Sequence, residues 1–294
     1  MSKVTIILLA IILIGLIIGL YISYKMIKAQ RQAAMAQMGV EGSYIVAEGL
    51  LDHLDKIYPI RMVFLHHSVG NGFMYKGGLR DSLLNLGVVI RSCTYGDEIG
   101  EQTDMDNWLP KFQNDMNKIF TFKAHPNKYY PDDRSNDIIM FKSCYPNSNL
   151  SGDGSEPGSA TSSDKTIANY KGVFEGLKTE FAKYPNKLFI YVTAPPNVPA
   201  VTTPENAARA RKFNEWLQNE FLPAYAKETG LDNFKVYDLF NFLAAGDNFL
   251  KNEYRWQDNP RDSHPNDDAK KVVAKDFLRF FEPILNDWKS KHES

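Results

Sequence analysis

The sequence predicts a three-layer α/β/α sandwich on a five-stranded parallel sheet, preceded by one N-terminal transmembrane helix. Three features support this prediction: an uncharged apolar run at Val4–Tyr24, five short apolar runs after Pro59, and helical patterns between those runs. With 294 residues the chain can hold one large domain. We expect an anchor at 1–24, a stalk at 25–58 and a domain at 59–294.

The run Val4–Tyr24 is long enough to cross a hydrocarbon core, at about 1.5 Å of helix per residue. A cleaved signal peptide is the alternative, but its apolar part is usually shorter and no small-residue cleavage site follows here. Lys25, Lys28 and Arg31 follow the span, whereas only Lys3 precedes it. These charges favour a domain on the cytoplasmic side.

Five β-rich apolar runs predict the strands of the sheet, because near-continuous apolar runs suit parallel strands that are covered on both faces. The predicted strands are Arg61–His67, Gly87–Cys93, Asp137–Ser143, Lys187–Ala194 and Phe234–Leu239.

Apolar residues at helical spacing predict crossover helices at Asn169–Tyr184, Pro204–Lys227 and Asp267–Trp288. Two other segments are predicted to be irregular insertions. They are the aromatic segment Asp97–Tyr130 and the Gly/Ser-rich loop Ser148–Thr166.

The composition narrows the functional classes. The net charge of −1 argues against a nucleic-acid-binding protein, which needs a basic surface. Cys93 and Cys144 are too few for a disulfide framework and lack zinc-ligand spacing. They could form one disulfide bridge or remain buried thiols.

Polar residues cluster where the predicted strands end, which is where α/β sheets carry their sites. The first strand leads into His66, His67 and Ser68, and a glycine-assisted strand-to-helix turn presents a serine hydroxyl as a nucleophile. A serine in such a turn is more often a helix cap. His66 and His67 alternate across the strand, so we expect them to pack or to support the site rather than act as the base.

Three later segments contribute further candidate groups: a side-chain amide, backbone N–H groups of glycines, and a histidine. Asn147 follows the third strand, where a side-chain amide can donate to an oxyanion, although asparagine is also a common turn residue. Gly96 or Gly100 follows the second strand and can offer a backbone N–H. Asp262 and His264 precede the last helix, so the carboxylate can orient a general base or simply cap that helix.

The order of these blocks resembles the SGNH (GDSL-type) hydrolase superfamily of esterases and lipases. The resemblance covers roughly residues 60–285 and matches Ser68, Gly100, Asn147 and His264 to the family's four blocks. It implies a flavodoxin-like fold and a serine esterase that works through an acyl-enzyme. The sequence departs from the family pattern in its paired histidines before the serine, in its third block (CYPNS) and in the spacing of its acid.

The resemblance also implies the roles of the site residues. Ser68 is the nucleophile, His264 the base and Asp262 the orienting acid, while Ser68, Gly100 and Asn147 form the oxyanion hole. No metal and no cofactor are expected. The implied substrate is a small-molecule or glycan ester, such as an O-acetylated carbohydrate. By resemblance the domain lies outside the cytoplasm, opposite to the side that the flanking charges favour.

Two alternatives stay open at this point. An inactive domain of the same fold could bind a glycan or a partner at the membrane, with the aromatic residues of Asp97–Tyr130 lining its surface. A metal-dependent hydrolase could use His66 or His67 with Asp262 and His264 as ligands.

Overall fold

A computed structural model describes residues 48–58 and 60–292, of which the chain from Leu51 onward forms one compact unit. The predicted anchor at Val4–Tyr24 lies outside the described residues. Within the described part, no helix combines the length and apolarity that a membrane crossing requires.

The element order alternates strands and helices. The strands are β1 (Ile60–Leu65), β2 (Val88–Cys93), β3 (Phe122–Ala124), β4 (Lys128–Tyr129), β5 (Ile138–Lys142), β6 (Leu188–Val192) and β7 (Phe234–Tyr237). The helices are α1 (Glu48–Ile57), α2 (Ser68–Met74), α3 (Leu79–Asn85), α4 (Met105–Thr121), α5 (Ile167–Ala182), α6 (Pro204–Trp216), α7 (Leu222–Thr229), α8 (Leu239–Leu243) and α9 (Asp267–His292). A π-turn at Leu217–Phe221 joins α6 to α7, and 3₁₀ turns lie at Tyr145–Ser148 and Asn252–Tyr254.

The main sheet has five parallel strands in the order β2-β1-β5-β6-β7. This is a doubly wound order, in which β2 lies on one side of β1 and the later strands are added on the other side. The predicted α/β fold and five-stranded parallel sheet are confirmed. Four strands of the sheet lie within their predicted runs, and β1 begins one residue before its run. The β3–β4 hairpin is a separate two-stranded sheet.

Alternate residues of the central strands point into two hydrophobic cores, one on each face of the sheet. Val63 and Leu65 of β1 join the core beneath α4, α5 and α6. Met62 and Phe64 join the opposite core, which is covered by α2, α3 and α9. This alternation, with a period of two residues, produces the three layers.

The sequence predicts an irregular insertion at Asp97–Tyr130, but the structure shows regular elements there. The segment contains the helix α4 and the β3–β4 hairpin. Pro110 lies inside α4, and Asp115 leaves helical dihedrals at a kink. A proline within a helical pattern argues for a break, although the apolar residues of α4 recur at helical spacing. The loop Ser148–Thr166 does contain little regular structure, as expected.

The last residues of the predicted stalk pack against the domain. Asp55 of α1 is buried and forms an ion pair with Arg91 of β2, which is also buried. The Tyr130 hydroxyl donates to the same carboxylate at 2.9 Å. The compact unit therefore includes part of the 25–58 segment.

Candidate active site

Ser68 begins α2 directly beyond β1, at the carboxyl edge of the sheet. His67 precedes it in an extended conformation, which turns the chain from strand to helix. Gly70 lies against His66, because a Cβ atom added at this glycine would come within 2.5 Å of the His66 Cβ atom. The missing side chain thus lets the first turn of α2 pack on the end of β1.

The structure brings Ser68, His264 and Asp262 into one hydrogen-bonded chain. The Ser68 hydroxyl lies 2.7 Å from Nε2 of His264, and Nδ1 of the same ring lies 2.6 Å from Oδ1 of Asp262. With Nδ1–H donating to the carboxylate, Nε2 is left to accept the serine proton. This is the arrangement of nucleophile, base and orienting acid that acyl transfer requires.

The loop that carries His264 is held at several points. The buried Ser263 hydroxyl accepts a hydrogen bond from the backbone N–H of Val198. Asn266 caps α9 by accepting from the Ala269 N–H, and its amide donates to backbone carbonyls of the preceding loop. The helix-capping role weighed for this segment thus belongs to Asn266, which leaves Asp262 to the imidazole.

His66, two residues before Ser68, is fully buried. Its Nδ1–H donates to the His67 carbonyl at 2.9 Å, and its Nε2 lies 2.9 Å from the Ser92 hydroxyl. Burial lowers the pKa of His66 to about 3. The ring is therefore neutral and supports the turn.

His67 faces the loop that follows β2. Its Nε2–H donates to the Gly100 carbonyl at 2.9 Å, and its Nδ1 accepts from the Thr103 hydroxyl at 3.1 Å. Burial lowers its pKa as well. Both histidines next to Ser68 therefore use their ring nitrogens for hydrogen bonds to protein groups. The metal-dependent alternative instead needs a ring nitrogen of His66 or His67 as a metal ligand.

Gly100 lies in the loop that follows β2. Its backbone N–H donates to the Asp97 carbonyl at 2.9 Å, and a Cβ atom here would lie 2.2 Å from the Thr94 carbonyl oxygen. Lys111 donates to three carbonyls of the same loop, at Ile99, Glu101 and Gln102. This glycine therefore closes a tight turn, and its N–H already has a partner.

Asn147 also has partners within the protein. Its amide nitrogen donates to Asp104 at 2.7 Å and to the Cys144 carbonyl at 3.3 Å, while its Oδ1 accepts from the Met105 N–H. The side chain is buried. In this structure it ties the loop after β5 to the start of α4.

Both cysteines are free thiols. Cys93 is buried at the end of β2, and burial raises its pKa well above the ordinary value. Cys144 is half-buried, with its sulfur 3.5 Å from the Ser68 hydroxyl.

Two tyrosines that sequence reasoning did not select lie beside the nucleophile. Tyr145 places its ring edge-to-face with His264, with centroids 4.9 Å apart. Tyr95 stacks on His67 at 3.8 Å, and about half of its surface is exposed. Their positions after strand ends were the available signal. By contrast, Trp108 and Phe112 of the aromatic segment are buried core residues rather than a binding surface.

Comparisons with known proteins give structural neighbours only. No family profile and no curated protein matches the sequence. A proposed acylhydrolase from Bacteroides fragilis is 15% identical with a TM-score of 0.46, and covers 83% of this chain and all of its own. A GDSL-like lipase from Bacteroides thetaiotaomicron is 14% identical with a TM-score of 0.44, over 85% and 96% of the two chains.

A third neighbour is a gut microbial diltiazem-metabolizing enzyme. It is 14% identical with a TM-score of 0.40, over 75% of this chain and 46% of its own.

Proposed function

We propose that this protein is a serine esterase that hydrolyses an ester through a covalent acyl-enzyme. The observation that carries the proposal is the 2.7 Å contact between the Ser68 hydroxyl and Nε2 of His264. The other ring nitrogen, Nδ1, lies 2.6 Å from Asp262. A domain with lost catalytic function would not need to keep this geometry.

The proposed reaction has two halves. His264 takes the proton as the Ser68 oxygen attacks the ester carbonyl, and then returns it to the departing alcohol. Water, activated by the same imidazole, releases the acid and regenerates Ser68. Asp262 keeps the ring in its reactive tautomer and stabilises its charged form.

The backbone N–H of Ser68 is the proposed first donor to the oxyanion, because it belongs to the residue whose oxygen attacks. The N–H of Gly100 and the amide of Asn147 would serve only after leaving Asp97 and Asp104. One such donor is worth about 3 kcal/mol of transition-state stabilisation.

For the substrate we propose an O-acetylated carbohydrate. Tyr95 stacks on His67 next to Ser68, and Tyr145 lies edge-to-face with His264. Such amphipathic rings pack against sugars while tolerating water. With an anchor at Val4–Tyr24, the proposed enzyme would act at a membrane surface, outside the cytoplasm.

The test is labelling of the full chain with a fluorophosphonate probe, together with hydrolysis of p-nitrophenyl acetate and acetylated oligosaccharides. We expect Ser68→Ala and His264→Ala to lose both labelling and hydrolysis. Ser290→Ala, in the last turns of α9, is the matched control and should retain both. Full hydrolysis by the Ser68→Ala protein would refute the proposed function.

A further inference from the structure

The oxyanion that forms in this site needs a second donor. Serine esterases place at least two hydrogen-bond donors around the developing negative charge, because each adds transition-state stabilisation. The N–H of Gly100 is bound to the Asp97 carbonyl, and the amide of Asn147 is bound to Asp104 and Cys144. We therefore expect the second donor to come from another residue next to Ser68.

The phenol of Tyr95 occupies such a position. Its hydroxyl lies close enough to the side chain and backbone amide of Ser68 to interact with both. The ring stacks on His67 with centroids 3.8 Å apart and planes inclined by 22°. His67 is in turn fixed by the Gly100 carbonyl and the Thr103 hydroxyl, so the platform under the phenol is rigid.

We propose that Tyr95 is a catalytic residue whose hydroxyl, together with the Ser68 N–H, stabilises the oxyanion. This inference rests on the proposed esterase function. As the Ser68 oxygen bonds to the carbonyl carbon, the carbonyl π electrons move onto oxygen and His264 receives the serine proton. The new oxyanion then accepts hydrogen bonds from the Ser68 N–H and from the O–H of Tyr95.

The chemistry of the phenol suits this role. Tyr95 keeps its proton throughout and only donates a hydrogen bond, so the step needs no further acid or base. Desolvation raises the pKa of Tyr95, which keeps the hydroxyl protonated at neutral pH. About half of the residue is exposed, which leaves room for a small rotation of the phenol as the substrate oxygen arrives.

The decisive variant is Tyr95→Phe, measured in the full chain, because it retains the ring on His67 and removes only the hydroxyl. We expect kcat on p-nitrophenyl acetate to fall about 10²-fold with KM little changed. Affinity for a boronic acid, which forms a tetrahedral adduct on serine, should fall by a similar factor. Tyr184→Phe is the matched control and should leave all three values unchanged, since Tyr184 lies between α5 and β6, at the amino edge of the sheet.

Other outcomes would overturn the inference. An unchanged kcat in Tyr95→Phe, with an unchanged unfolding temperature, would exclude the hydroxyl as a donor. A raised kcat would instead show that the phenol blocks the oxyanion site. Ser68→Ala separates the two proposals: hydrolysis that survives in this variant refutes the esterase mechanism itself, whereas its loss leaves the Tyr95 result to judge the donor alone.

Discussion

One oxygen of Asp262 binds His264 twice: Oδ1 accepts the backbone N–H at 2.8 Å and the ring Nδ1–H at 2.6 Å. The carboxylate precedes the histidine by only two residues, so the chain turns back on itself within the pair. This double contact fixes the ring and the backbone that carries it. It also explains how a spacing shorter than the family pattern can still place an acid on the imidazole.

Asp262→Asn tests this relationship. Its side-chain oxygen can still accept the backbone N–H, but an acceptor for Nδ1–H is no longer assured, so the reactive tautomer loses its support. We expect kcat/KM for p-nitrophenyl acetate to fall by about 10³- to 10⁴-fold with the unfolding temperature nearly unchanged. Asp258→Asn, an exposed position in the preceding loop, is the control. Wild-type activity in Asp262→Asn would show that another group orients His264.

Gly70→Ala should damage the site through packing. A Cβ atom at Gly70 would lie 2.5 Å from the His66 Cβ atom, so the first turn of α2 must move and carry Ser68 with it. We expect a loss of about 1–3 kcal/mol in the free energy of unfolding, and a fall in kcat/KM under conditions where the variant is fully folded. Gly246→Ala is the control, because the added atom there has nothing within 4 Å. Equal behaviour of the two variants in urea unfolding and in activity would contradict this reading.

The strands of the sheet and the candidate residues Ser68 and His264 could be predicted from the sequence because local signals mark them. Buried parallel strands such as β5 are continuous apolar runs, and these runs located the strands within two residues at their starts. Ser68 and His264 follow or precede regular elements whose order places them at one edge of the sheet. Their 2.7 Å contact joins positions that are 196 residues apart, and the fold topology is what brings them together.

The remaining features depend on contacts that no local pattern encodes. The backbone N–H of Gly100 is used within its own loop, and the Asn147 amide is used by Asp104, which is brought in by α4. Helix α4 is the exception, because its apolar residues do recur at helical spacing, and Pro110 inside it is the local signal against a helix. Tyr95 carries no sequence signal beyond its place after β2, because its proposed role depends on stacking on His67.

Acid should destabilise the protein through His66. In the unfolded chain this histidine titrates near its ordinary pKa of 6.5, whereas in the fold burial lowers the pKa to about 3. Below pH 6.5 the unfolded chain therefore binds a proton that the folded chain does not. The contribution of neutral His66 to stability is complete above pH 6.5 and is lost as the pH falls toward 3, with a slope approaching about 1.4 kcal/mol per pH unit.

Urea unfolding between pH 7 and pH 4 measures this slope. His66→Asn keeps a donor and an acceptor near the His67 carbonyl and the Ser92 hydroxyl but does not titrate. Carboxylates titrate in both proteins, so the difference between the two curves isolates the histidine. We expect the variant to have a shallower pH dependence, whatever its stability at pH 7. Parallel curves would mean that His66 is protonated equally in the folded and unfolded chains.

The buried pair of Asp55 and Arg91 makes the end of the predicted stalk part of the fold. The Asp55 carboxylate binds both the Arg91 guanidinium and the Tyr130 hydroxyl, and both members of the ion pair are buried. Removing the negative charge leaves a buried cation without compensation, which costs about 3–5 kcal/mol. We therefore expect Asp55→Asn to lose this amount in urea unfolding, whereas Asp81→Asn, at a more exposed pair with Arg80, changes stability by less than about 1 kcal/mol.

The same argument predicts that a fragment starting at residue 60 is less stable than one starting at residue 48, by at least the loss seen in Asp55→Asn. Equal stability of the two fragments would mean that α1 adds nothing to the domain and that the stalk extends to residue 58.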